Sequence, residues 1–570
     1  PLKKPRAPAE DRRPLALLLA ACAATYLSAL PGALFWDNEV LILNNVFLRS
    51  WRYVPQILTT SLFAGSGEVT NYYRPVSVLA LLVQYQLWGP SPLGFHAFSI
   101  LLHVANAALV YFCARRLLGS PRAALIAAAI FALHPLQNET VNYADHQEGM
   151  LTLLFGLSSF LLLDARRAPA SCACWALCLL SKEEGVTFFP ILALAFLMPR
   201  AKTRENALKL APHLAILAVY LGLRLTVLNF LPRSSGLFAA QQGAYAGLGL
   251  RLLTFAKALL ADLRLVVWPT GLHFDRDMAP AASALDPRAW GALALDAAIL
   301  AALGRWARGA GRLGLAWFLF ALVPYCGLVS FNNILAEHFL YIPLAGLAIA
   351  LAQVVAGERR WPRAGTFAAG ALLGFWTFQN LSRNRDWRDP VRLYRSTLAG
   401  NPGSYRAANN LGVEEFRSGR IAEAGLAFQQ ALRAKPDYAP ALNNVGAVLE
   451  RQGKPRGALE YYLRSFAADP AYVQARRNAA GVYYALGQDA DAVRAAEGAL
   501  AYYPQYADAL EVLGAAAMRL GDLPKARAAC ERAAAIRPSK NAFTNLAIVY
   551  RALGLAAEAK NAAGQAARLP

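Results

Sequence analysis

Five prolines, Pro402, Pro436, Pro470, Pro504 and Pro538, follow one another at intervals of 34 residues along the last part of the chain. Proline breaks a helix interior, so a fixed proline period dictates where helices stop. Gly419, Gly453, Gly487 and Gly521 keep the same interval, and Gly412, Gly446 and Gly514 stand where two helices must approach closely. A unit of this length, two helices and a turn, cannot bury its apolar face alone and must stack on its neighbours. Residues 401–570 are therefore expected to form a solenoid of about five helical pairs, with the last pair one residue short as a terminal cap.

The rest of the chain has another character. The 570 residues are 56% hydrophobic, and apolar stretches recur from Leu15 to Leu381, whereas the chain from Arg383 onward is amphipathic. The net charge of +21 would suggest nucleic acid in a soluble protein, but much of the Lys and Arg clusters at the ends of apolar stretches. Membrane orientation explains that placement, and no nucleic-acid partner is expected. The seven cysteines lie mostly inside apolar stretches and imply no disulfide framework; Cys172, Cys174 and Cys178 read as small buried residues. Leu15 to Leu34 lacks a clear cleavage site and reads as a retained first span.

Basic residues mark cytoplasmic ends and allow the chain to be folded across the bilayer. Lys3, Lys4, Arg6, Arg12 and Arg13 put the first residues inside, and the first span delivers an outer loop, 35–94. Arg115 and Arg116, Arg166 and Arg167, then Arg200, Lys202 and Arg204 mark later returns to the inner side. Leu248 to Trp268 is apolar yet holds Arg251, Lys257, Asp262 and Arg264, and is read as interfacial or re-entrant. The total is about eleven crossings. The expected division is a membrane domain over 1–382, a connecting helix over 383–400 and repeats over 401–570 on the outer side.

Ionisable groups gather on that same outer side. Asp37 lies a few residues past the first span, with Asn38 and Glu39 after it. A carboxylate fixed at the membrane surface can take a proton from an incoming hydroxyl while that oxygen attacks a carbon presented from the lipid. Tyr73-Arg74-Pro75, His134-Pro135 with Glu139, Ser181-Lys182-Glu183-Glu184 and Ala336-Glu337-His338 with Tyr341 also fall beside outer span ends. Charge there is costly and usually functional. Arg74 offers a planar fork and Lys182 a point charge suited to a phosphate; alternatively each pairs with Glu183, Glu184 or Glu337 and holds helices together.

In order and combination these segments resemble the transmembrane and tetratricopeptide-repeat O-mannosyltransferases and their bacterial relatives, of the type C glycosyltransferase fold. The likeness runs from the Asp37 loop, spaced to Ile42 and Asn45, through Tyr341-Ile342-Pro343 to Arg385, Asp386-Trp387 and the repeats. It implies an all-α polytopic membrane domain, a loop aspartate as catalytic base, a sugar donor on a polyprenyl phosphate, and repeats beside the active site. Two departures stand out. Asp37-Asn38 replaces two adjacent acids, leaving Glu39 as the possible second. His146-Gln147-Glu148-Gly149 stands where the family usually carries Gly-Arg-x-Asp after Glu139. Arg74, Lys182 and His338 are then the candidates for the donor phosphate, and Tyr73, Glu139, Asp145 and Glu148 for sugar or acceptor.

The expected function is inverting transfer of mannose or another hexose from polyprenyl phosphate to Ser or Thr of proteins, with Asp37 as general base. The site and repeats would lie on the periplasmic side of a bacterial inner membrane, the bacterial source being inferred from abundant Ala, Leu and Arg with few Lys. No metal or other cofactor is required by this scheme, since the lipid phosphate is already a good leaving group, and the sequence shows no compact cluster of His and carboxylates. Membrane lipids and a repeat-bound acceptor peptide are the partners. Tyr405, Tyr438, Tyr472 and Tyr506 recur near the repeat interval, as structural positions first and a binding stripe second. A glycolipid or surface-polymer acceptor, or a non-catalytic scaffold or export component, are the alternatives; a transporter fits less well because the charges gather at one face.

Overall fold

The structure is a computed structural model that describes residues 12–66, 70–197, 203–230, 247–276, 278–327, 334–357 and 363–569. Lys3, Lys4, Arg6, Arg200 and Lys202, read above as inner-side charges, lie outside the described residues. The chain divides into two compact units, Pro1–Ser396 and Thr397–Pro570. That division falls inside the segment 383–400 expected to connect them.

The first unit is a bundle of apolar helices. Its largest core joins residues of Arg12–Tyr26, Pro92–Leu118, Pro121–Leu133, Gln147–Asp164, Ala168–Ser181, Phe188–Leu197 and Tyr341–Gly357. Small residues let these helices close up: a Cβ at Gly346 would stand 2.7 Å from the Gly314 carbonyl oxygen and as close to Trp317. Four helices among the described residues are long and apolar enough to cross a membrane: Pro92–Leu118, Arg204–Leu225, Pro287–Trp306 and Glu337–Ala356. That is fewer than the about eleven crossings read from hydropathy. Several expected spans are shorter helices, such as Pro121–Leu133 with 13 residues. At 1.5 Å per residue that is roughly 20 Å, short of a hydrocarbon core of about 30 Å. Hydropathy registers an apolar stretch but not where the helix within it ends, and here several end at the polar loops that build the site.

The segment 35–94, expected as an outer loop, carries short helices of its own. It contains the helix Pro75–Trp88, whose Val78, Leu81 and Leu82 pack with Leu41, Ile42, Leu48 and Ile57 in a core of their own. The helix Arg363–Asp386 runs four residues past 382, the expected end of the membrane domain. Its Arg383 and Asn384 are buried in the first unit, a correction to reading the chain from Arg383 onward as soluble. Each had been classed by its own polarity, whereas its burial is made possible by partners far away in sequence.

The second unit holds five helical pairs, from Tyr405–Arg417 with Ile421–Ala434 to Lys540–Ala552 with Ala556–Ala567. Gly419, Gly453, Gly487 and Gly521 take left-handed φ values of 77°, 73°, 77° and 79° at the turns, and in the last pair that role falls to Gly554 at 76°. This position is one residue early, as a short final unit requires. Within pairs, absence of a side chain on one helix is matched by bulk on the other. A Cβ at Gly412 would come within 2.5 Å of the Phe428 ring, and one at Gly446 within 2.6 Å of Tyr462. In the third pair Ala480 faces the same core as Ala496, both fully buried, so the missing glycine is offset by a small partner. Asn444 donates to Asn409 at 2.9 Å and Asn478 to Asn443 at 2.8 Å, a run of side-chain amides from one first helix to the next. Tyr405 and Tyr438 meet edge to face at 4.7 Å.

Candidate active site

Asp37 is placed by an aromatic cluster and one strained residue. Trp36 adopts a left-handed φ of 54°, a conformation that a bulky residue holds only when its surroundings impose it. Here the Trp36 ring meets Phe274 at 4.9 Å, Phe274 meets Trp387 at 5.2 Å, and Trp387 stacks on Phe35 at 6.2 Å. The turn that follows directs the Asp37 backbone N–H to the Tyr143 hydroxyl, 2.9 Å away. Asn38 is fully buried, while Glu39 opens the short π-helix Glu39–Leu43.

The loop after Pro121–Leu133 supplies the next groups. His134 is fully buried and serves the fold: its Nε2 lies 2.9 Å from the Val266 carbonyl oxygen and its Nδ1 accepts from the Leu136 N–H at 3.2 Å. Asn138 and Asn142 donate to Asn384 at 2.8 and 2.9 Å, which ties this loop to the helix Arg363–Asp386. Glu139 is thereby held inside the protein, 1% exposed. Burial first, and Glu337 next, push its carboxyl well above the usual range, against the pull of Arg383 and Arg276. Asp145, on the turn before Gln147–Asp164, is also pushed well above the usual range by burial and then by Glu148 and Asp37.

Arg74 and Lys182 stand among carboxylates. Arg74 donates through Nε to Glu183 at 2.8 Å and through another nitrogen to Glu148. Lys182 lies 2.5 Å from Glu184 and 3.3 Å from Glu148. Burial works against the Lys182 charge, but Glu184 and Glu148 outweigh it and hold its pKa above the ordinary value. Two cations here meet three carboxylates, and Tyr325 adds a hydroxyl to Glu184. Tyr73 gives its backbone N–H to Glu183 at 3.1 Å, but its hydroxyl donates to the Leu58 carbonyl at 2.8 Å, away from the cluster.

Glu337 is fully buried and saturated. It accepts from the His273 N–H at 2.8 Å, from Arg276 at 2.9 and 3.0 Å, and from Arg383 at 3.3 Å. Beside it, His338 Nδ1 lies 2.6 Å from Glu139 Oε1, and the His338 ring stacks near His146 with centroids 4.0 Å apart. The structure thus brings Asp37, Glu139, Asp145, Glu148, Arg74, Lys182 and His338 into one connected set of contacts and charges.

Sequence reasoning missed Tyr143, His273, Arg276 and the site role of Arg383. Arg276 lies in a loop with no motif around it, and only its distance to Glu337 reveals it. Sequence reasoning also found no compact His and carboxylate cluster, yet Glu139, His146 and His338 converge. Their numbers are too scattered along the chain for spacing to show that.

Residues 73–229 match the family model described as dolichyl-phosphate-mannose-protein mannosyltransferase, and residues 378–439, 446–496 and 482–541 match a tetratricopeptide repeat. The Caenorhabditis elegans protein O-mannosyl-transferase F38B6.6 is 24% identical over 451 residues, covering 75% of this chain. The chain is similar to protein O-mannosyl-transferases over about three quarters of its length. Drosophila melanogaster Tmtc1 is 25% identical over 73% of this chain, and human TMTC1 24% identical over 74%. The match spans 63%, 61% and 55% of the lengths of these three relatives in turn. Among solved structures, MamA is similar over 28% of this chain and 93% of its own, with 24% identity and a TM-score of 0.26.

Proposed function

We propose that the chain is a membrane glycosyltransferase that moves mannose or another hexose from a polyprenyl-phosphate donor to Ser or Thr of a protein, with inversion at the sugar. Asp37, aimed by Trp36 and Tyr143, takes the proton from the acceptor hydroxyl as its oxygen bonds to the anomeric carbon. The bond from that carbon to the phosphate oxygen breaks, and the lipid phosphate leaves with the electron pair. Asp145 and Glu148 are placed to bind sugar hydroxyls.

Charge decides where the phosphate goes. Arg74 and Lys182 pair with Glu148, Glu183 and Glu184, whereas Arg276 and Arg383 pair with Glu337 and also act on Glu139. We assign the departing phosphate to the cations of this cluster, Arg74 and Lys182, together with the guanidinium pair of Arg276 and Arg383. In the repeats, the amides of Asn409, Asn443, Asn444 and Asn478 suit the backbone of an extended acceptor. The reaction is placed on the periplasmic face of a bacterial inner membrane, because the outer-side basic deficit and the composition both favour it.

The observation that carries this reading is the aspartate held beside Tyr143 and Asp145 in a chain related to mannosyl-transferases. Its test is transfer of radiolabelled mannose from polyprenyl-phosphate mannose to protein. Asp37→Asn should reduce transfer by about 100-fold to 10,000-fold, the usual worth of a general base, with unchanged elution from detergent. Transfer by the variant at the native rate would sink the assignment.

A further inference from the structure

We propose that Glu139, His146 and His338 form a binding site for one divalent cation of the zinc class. The three side chains come from three separate elements: the short helix Asn138–Asn142, the turn Ala144–His146 and the turn Glu337–Leu340. One ligand atom from each lies within 4.8 Å of the others. Glu139 Oε1 is 2.6 Å from His338 Nδ1 and 4.0 Å from His146 Nδ1.

A hydrogen bond between Glu139 and His338 answers only part of this geometry. Glu139 Oε2 and His146 Nδ1 are both buried with no hydrogen-bond partner among the described residues. Glu139 is 1% exposed and His146 8% exposed, so water cannot readily make up the loss. A cation among the three groups would supply a partner to both orphaned atoms. Zinc held at about 2.0 to 2.1 Å in a tetrahedron places its ligands roughly 3.3 Å apart, so from 4.0 Å His146 closes on Glu139 by about 0.7 Å while His338, at 2.6 Å, opens by about as much.

The donor set selects the metal. Two imidazoles and one carboxylate suit zinc, cobalt and their neighbours, whereas calcium and magnesium take oxygen ligands. Glu337 does not compete for the ion, because Arg276 and Arg383 already occupy it. Three protein ligands leave a fourth position for an oxygen of water or of a phosphate.

The test uses the full chain purified in detergent without a histidine tag, stripped by a chelator and then equilibrated with zinc alone. One zinc per chain is expected by mass spectrometry, and cobalt in its place should give the intense visible absorption of a four-coordinate site. Glu139→Gln, His146→Gln and His338→Gln should each weaken zinc binding at least about tenfold, while the exposed Glu205→Gln should not. Well under one zinc per native chain, a six-coordinate cobalt spectrum, or equal binding by the three variants would each overturn the site. The native-chain stoichiometry and spectrum decide the matter even if a variant fails to fold. No donor is present in this assay, so its failure leaves the transferase reading standing.

Discussion

The pairing of an absent side chain with a bulky one inside each repeat can be tested at Gly446 and Tyr462. A Cβ at Gly446 would lie 2.6 Å and 2.8 Å from two Tyr462 ring carbons, and 3.1 Å from the Ala458 carbonyl oxygen. Tyr462 cannot retreat freely, because it is 1% exposed and its hydroxyl donates to Glu450 at 2.8 Å. Two effects oppose each other in Gly446→Ala. Replacing a mid-helix glycine favours the helix by about 1 kcal/mol, while forcing a methyl into a filled core costs about 1 to 3 kcal/mol. Once Tyr462→Ala removes the ring, most of the second effect goes and the first remains. The same glycine substitution should therefore destabilise the repeat when the tyrosine is present and be neutral or stabilising when it is not. The coupling energy between the sites should be about 1 to 3 kcal/mol, or roughly 5-fold to 150-fold in an opening equilibrium. Hydrogen exchange of peptides from Ala439–Arg451, followed by mass spectrometry on the full chain in detergent, measures it directly. Effects that add to within about 0.5 kcal/mol would refute the argument from close approach.

Two further outcomes are expected. Tyr143→Phe deletes the acceptor for the Asp37 N–H, which should lower kcat of sugar transfer by roughly 5-fold to 150-fold if the full cost of about 1 to 3 kcal/mol falls on the active conformation, with KM for the donor little changed; steady-state transfer kinetics show which parameter moves. Asp286 caps Pro287–Trp306 by accepting from the Arg288 N–H at 3.0 Å, and its hydrogen bond from the Ala282 N–H leads in lowering its pKa. A carboxyl so lowered adds stability above its unfolded pKa of about 3.9 and loses it as pH falls further, so Asp286→Ala should speed exchange in that helix at neutral pH and less so in acid.

How much of the site was legible depended on whether a residue's role travels with its neighbours in sequence. Asp37, Arg74, Glu139, Lys182 and His338 each stand beside the end of an apolar stretch, where a charge is conspicuous. Their partners are less visible. Tyr143 reads as an ordinary loop aromatic, Arg276 carries no motif, and Arg383 reads as the start of an amphipathic stretch, whereas in the fold it pairs with Glu337. Arg74 and Lys182 read as phosphate ligands in the sequence, yet the number of carboxylates around them is a property of the folded loops alone.

The repeats lie at the other extreme. Their period, their turns and even the early final glycine follow from local rules, because each helical pair is specified by residues within a few dozen positions of one another. Apolar composition likewise announces a membrane protein, since it is a sum over residues and needs no fold. The number and length of the helices that could cross, the burial of Asn384, and the meeting of Glu139, His146 and His338 are decided in three dimensions. They rest on contacts between residues separated by up to about 360 positions, such as Asn384 with Thr25, and the strength of such a contact is set by distance and burial rather than by sequence spacing.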